Sequence, residues 1–192
     1  MSSLILGLVV FLGVHSTRIF AEPWRAKRIA EMGEGKWKGL YSLASLAGLV
    51  LIVYGYGEAR ADPVMLWNPP VWTRHLASLL TLPAFVLLTA AYVPGNNIKA
   101  KIGHPMVAGV MLWAFAHLIA NGTLADFLLF GSFLVWATAD FISSRRRDRV
   151  AGVRYAAGAA ARDAMTVVIG LVAWAVFAFW LHARWIGVQP FG

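Results

Sequence analysis

Five histidines, His15, His75, His104, His117 and His182, stand within or at the edge of apolar stretches of a chain that contains no cysteine. An imidazole in lipid must find a partner, either a hydrogen-bonding group on a neighbouring helix or a metal. Without thiolates, disulfides, iron–sulfur clusters, thiolate zinc and cysteine nucleophiles are excluded, and any metal chemistry falls to imidazole, carboxylate or thioether. Spacing sorts the candidates. His15 and Arg18 share a helix face with Phe11, so a neutral imidazole and a guanidinium project into one region and suit a bound anion, unless Arg18 snorkels to the headgroups. Trp113, His117 and Asn121 follow at four-residue intervals and share another face. His104 and His117 lie about 220° apart around a 3.6-residue helix, so at most one of them meets a given ligand from a straight helix. Trp136 and Asp140 pair at i, i+4 with Asp126 about 40° away, which turns that face inward and offers Asp140 to Arg145 or Arg18. His75 and His182 fall near a span boundary, where partial hydration favours an ordinary interfacial role.

The elements that must position these side chains are membrane helices. The 192 residues are 59% hydrophobic and 14% charged, with a mean hydropathy of +0.66, too apolar for a soluble domain of this length. Six stretches are long enough to span: Ser2–Phe20, Lys38–Gly57, Trp72–Val93, Pro105–Asn121, Leu124–Ile142 and Ala164–Ile186. Backbone groups in lipid must be satisfied within the segment, so the fold class is all-α, a single polytopic bundle over residues 1–192. The first span lacks a basic start and a small-residue cleavage site and reads as a retained helix. The short Asn121-Gly122-Thr123 connection predicts an antiparallel hairpin between the fourth and fifth spans.

The net charge of +8 is explained by topology and not by nucleic acid. Of 17 basic residues, all but Arg60, Arg74 and Arg184 lie in the first, third and fifth connections. This bias places those connections in the cytoplasm and both termini on the non-cytoplasmic side. Glu22–Trp37 and Ser144–Asp163 mix basic residues with Ala and Trp, as expected of short interfacial helices on an anionic leaflet. Trp113, Trp136 and Trp174 lie deeper, where an indole N–H needs a partner and marks a protein-facing side.

A series of motifs then runs in order along the chain: His15-Ser16 with Arg18; Leu66-Trp67-Asn68-Pro69-Pro70 through Leu76; Pro94-Gly95-Asn96-Asn97; Gly103-His104-Pro105; Trp113 through Gly122; and Leu129-Phe130-Gly131. Together they resemble the NnrU family of bacterial integral membrane proteins, which is associated with denitrification and nitric oxide metabolism in the inner membrane. That family is similar to plant ζ-carotene isomerase, a haem b protein that isomerises a cis double bond. The resemblance implies haem b, with His15 and His117 as its axial metal ligands and with His104, Arg18 and Asn121 in the cofactor site. The plant enzyme has Arg-His-Pro where this chain has Gly103-His104-Pro105, and a His-His pair where this chain has Trp136 and Ala137.

Depth tests that assignment. His15 lies about 7 Å and His117 about 20 Å from the cytoplasmic boundary at 1.5 Å per residue. Two imidazoles on one iron span a Cα separation of only about 12 Å. His15 with His104, or His117 with His75 or His182, is better matched in depth. Three functions follow: a haem-dependent protein of nitrogen-oxide metabolism or an isomerase of a lipophilic polyene; a non-catalytic membrane assembly or interaction factor; and, by similarity of the His-Pro motif, a membrane methyltransferase using S-adenosylmethionine.

Overall fold

The computed structural model describes residues 1–191. Its elements are α1 (Ser2–Phe20), α2 (Glu22–Met32), α3 (Glu34–Ala61), α4 (Val71–Tyr92), α5 (Asn97–Ile102), α6 (Pro105–Ala120), α7 (Leu124–Val150), α8 (Ala160–Val176) and a π-helical segment (Phe177–Ile186) continuous with α8. Five of the resulting helices are long and apolar enough to cross a membrane, and α6 is a sixth, shorter apolar helix. The protein is therefore a multi-pass, all-α membrane protein. At 16 residues, α6 is about 24 Å long, below the roughly 30 Å of a bilayer core. Pro105 fixes its start, and the chain leaves the helix at Asn121 to enter a folded connection.

The long helices form an arc. α3 packs on α1, α1 on α7, α7 on α6, α6 on α4, and α4 on α8, with α6 and α7 forming the expected hairpin. Across the two ends of this arc, Arg60 near the end of α3 donates to the carbonyl of Ile186 at 2.6 Å. The α1–α3 seam is a backbone-to-backbone contact. A Cβ on Gly55 would fall 2.2 Å from the Leu4 nitrogen, and one on Gly7 would fall 2.6 Å from the Ile52 nitrogen. In lipid, where apolar side chains gain little by leaving one apolar medium for another, close approach of this kind is the main source of helix adhesion.

Two interfacial helices expected from the basic connections take a different form. The first ends at Met32, because Gly33 takes φ +84° and starts a new helix at Glu34, ahead of the expected Lys38. In the second, residues 144–150 continue α7, and residues 151–159 are not helical. Gly152 turns the chain at φ +63°. Gly158 then sits so close to Gly95 and Asn96 that a Cβ would fall 2.3 Å from the Gly95 carbonyl oxygen. The segment is held down by tertiary contact, which local charge pattern does not report.

Candidate functional site

The five histidines divide by end of the bundle. At the Arg-rich end, His104 caps the start of α6, and its Nε2 lies 2.9 Å from an Asp148 carboxylate oxygen. Tyr155 donates to that same oxygen at 2.8 Å. Burial first, and then the Asp148 carboxylate, pushes the Tyr155 phenol above its usual pKa, so it remains a protonated donor. Gly103 lies beneath Tyr155 and Arg145 at φ +79°, a left-handed conformation that favours glycine. Beside this cluster, Asp163 accepts from the Asn97 backbone N–H at 2.6 Å and from its side-chain amide at 2.8 Å. Asn97 accepts in turn from the Gly158 N–H. Buried Asn96 caps α5 through the Lys99 N–H and donates to the carbonyls of Ala90 and Val93. The Pro94–Asn97 and Gly103–Pro105 motifs thus form one clasp that ties the α4–α6 connection to residues 151–163.

Arg18 is exposed near the end of α1, and its backbone carbonyl, not its guanidinium, meets Arg147. Asp140 lies 3.9 Å from Arg147 and not beside Arg145 or Arg18 as expected. The spacing of seven residues puts Arg147 two turns along the same face of α7, where it also donates to Ser143 and Ser144.

The opposite end is built differently. Asn121 turns its amide back to the His117 carbonyl at 2.8 Å, and its own carbonyl accepts from the Trp67 indole. Leu66 and Trp67 bond to Gly122, and Leu124 bonds to Val64, so the Leu66–Pro70 motif closes over the α6–α7 turn. Thr123 and Asp126 form a reciprocal cap of α7, and Tyr56 donates to buried Asp126 at 2.5 Å. His75 is exposed at the start of α4.

Between these ends the interior is aromatic. His15 stacks on Phe11 at 4.2 Å between ring centres and meets Tyr41 and Trp136 edge-on. Phe11, Phe133 and Trp113 follow in contact, and Trp113 lies against His117. The expected axial pair therefore does not meet: a file of rings links His15 and His117. The histidine that does approach His117 is His182, with ring centres 6.5 Å apart and planes 21° apart. Sequence reasoning matched these two in depth but left His182 as an interfacial residue. The π segment was not legible, and it is what brings His182 into place.

Each of His15, His117 and His182 directs Nδ1 at a backbone carbonyl, those of Phe11 (2.6 Å), Trp113 (2.9 Å) and Val188 (2.7 Å). A carbonyl only accepts, so Nδ1 is the donor in each, and in the neutral ring Nε2 is then the acceptor. Among the described residues none of the three Nε2 atoms has a hydrogen-bond partner, and no group of three or more His, Asp or Glu converges as a metal site. Trp174 donates to Thr81, whereas the Trp136 indole N–H is buried without a partner. Trp136 also borders a largely apolar groove of about 480 Å³ between α1 and α7, which Ser16, Ser132 and Phe20 help to line.

These contacts describe a multi-pass helical membrane protein whose interior polar chemistry is imidazole among aromatic rings. The chain belongs to the NnrU family, described as NnrU protein, which matches residues 3–190. No curated protein sequence and no solved structure matches it.

Proposed function

We propose that this NnrU-family membrane protein holds haem b through its interior imidazoles. There it carries out redox-dependent chemistry on a lipophilic substrate, such as cis–trans isomerisation of a polyene, in the bacterial inner membrane. The observation that carries the reading is the preparation of His15, His117 and His182: each has Nδ1 bonded to a carbonyl and Nε2 unpartnered. A hydrogen bond of that kind fixes the tautomer and ring direction of an imidazole that binds a metal. Imidazole nitrogens held this way would serve as ligands to the iron of such a group. Haem held there would supply one-electron chemistry.

The chain's own contribution is to orient and to exclude water. Trp113, Phe130 and Phe133 surround His117 and its neighbourhood with apolar surface. The α1–α7 groove beside Trp136 has the volume and apolar lining to receive part of a lipophile. The test is the visible spectrum of protein purified from haem-replete cells, with a hemin titration of the colourless fraction. A Soret band at about one haem per chain, lost in His117→Ala, supports the reading; a chain that neither carries nor takes up haem overturns it.

A second reading is an assembly or interaction factor, and it also has a specific support. The Leu66–Pro70, Pro94–Asn97 and Gly103–Pro105 motifs are all engaged in holding the fold together. If alanine at every histidine leaves function intact while Gly122 or Asp163 variants abolish it, this second reading is the correct one.

A further inference from the structure

We infer that the groove between α1 and α7 is a binding site for a lipophile that carries a carbonyl oxygen. This names the class of the lipophile in the reading above, while the site itself requires no haem. Two motif residues that hold neither end of the bundle together, Ser16 and Gly131, meet there. Apart from Ser16, Ser132 and the Trp136 indole, the lining is apolar. The volume of about 480 Å³ suits a small ligand, and Phe20 and Val135 at the edge are exposed, so the groove opens toward lipid. Gly131 has no packing reason to be glycine. A Cβ there would meet nothing within 4 Å, whereas one on Gly7 or Gly55 would strike the backbone of the α1–α3 seam. Glycine inside a helix weakens it, and here what it leaves is room in the groove.

The polar groups decide the chemistry. Among the described residues the hydroxyls of Ser16 and Ser132 make no hydrogen bond, whereas Thr17 and Thr138 of the same helices return theirs to the carbonyls of Val14 and Leu134. Trp136, which borders the groove, has a buried indole N–H without a partner, and a turn of the ring would bring it to the ligand. Such groups are costly to leave unmet in lipid. An indole N–H only donates and a hydroxyl can donate, so the group that answers all three is an acceptor. A carbonyl oxygen, with two lone pairs, answers more than one of them at once. Depth selects the source. Ser132 stands eight residues, about 12 Å, from the start of α7 and thirteen, about 20 Å, from Arg145, well inside a hydrocarbon core of roughly 30 Å. Phospholipid ester carbonyls lie at the edge of that core, so the ligand that reaches Ser132 is a free lipophile of the ketone or quinone kind.

The experiment uses haem-free, full-length protein in phospholipid nanodiscs and two probes of matched shape: a decyl-substituted benzoquinone with isotope-labelled carbonyls, and decylbenzene. Affinity is read by equilibrium binding, the carbonyl stretch by infrared difference spectroscopy, and stability by thermal unfolding. The benzoquinone should bind on the order of tenfold more tightly than decylbenzene, with its carbonyl stretch lowered by hydrogen bonding. Ser16→Ala combined with Ser132→Ala should erase both the preference and the lowered stretch. Gly131→Leu should abolish binding of both probes without loss of stability, and it decides the matter if the double variant fails to fold. Equal binding of the two probes, benzoquinone binding unaltered in the double variant, or binding unaltered by Gly131→Leu overturns the assignment. A lowered stretch found instead on labelled phospholipid esters makes the occupant a membrane lipid and overturns the ligand class. These results are independent of the Soret band: a chain that binds the benzoquinone and no haem keeps this site and loses the haem reading.

Discussion

Two histidines stand at opposite ends of α6 and do opposite things. His104, at the Arg-rich end, gives Nε2 to Asp148 and is closed into a network with Tyr155. His117, thirteen residues further on, keeps Nε2 unpartnered and meets another imidazole. The residue type and the helix are shared, so the difference lies in what the neighbouring elements bring. One end receives a carboxylate and a phenol from α7 and the segment after it; the other receives aromatic rings and His182. A polar side chain fully bonded within the fold stabilises it, and one with a lone pair left over is available to a ligand.

Substitutions at the two ends should separate along that line. The largest loss of stability is expected where the clasps need glycine. Gly122→Ala would place a Cβ 2.0 Å from the Trp67 carbonyl oxygen and Gly158→Ala one 2.3 Å from that of Gly95. Both clashes are with backbone, and each should cost about 3 kcal/mol, read as thermal unfolding in detergent. Next comes Tyr56→Phe, which leaves the buried Asp126 carboxylate without its cross-helix donor; about 1–2 kcal/mol is expected, since hydrogen bonds within membrane bundles are modest. Asp163→Ala removes the acceptor of both Asn97 bonds and should lower the melting temperature, with cleavage by added protease rising in residues 151–159. Smallest in stability, and largest in ligand binding, is a change confined to the π segment. Deleting Ala178 lets the winding relax to i→i+4 and turns His182 by about 100°, so hemin affinity should fall while the melting temperature moves little. A deletion that destabilised the fold as much as Gly122→Ala would erase the contrast between the ends.

The parts of this architecture that are local were legible from sequence. Six apolar stretches and the Asn121–Thr123 hairpin follow from hydropathy and turn chemistry, and helix type follows from the requirement that backbone groups in lipid bond within their own segment. What escaped depends on partners far along the chain. Asp163 and Asn97 are 66 residues apart, and nothing in either neighbourhood announces the bond. Asp140 is expected beside Arg145 or Arg18 and lies instead toward Arg147, two turns along its own face. Ser144–Asp163 carried the composition of an interfacial helix but is pinned, in its second half, by Gly158 against Gly95. For the candidate site, the pairing of His15 with His117 rests on resemblance, and the depth argument matches His15 with His104 and His117 with His75 or His182. The contact that brings His182 to His117 needed a π winding, for which Phe177–Ile186 carries no distinctive pattern.

The Arg60–Ile186 hydrogen bond bears on how the bundle is closed. Along the rest of the arc each helix lies against its neighbour, whereas α3 and the C-terminal helix are joined by this bond at one rim. Its loss would free that rim of the bundle while leaving the glycine-tight seam of α1 with α3 untouched.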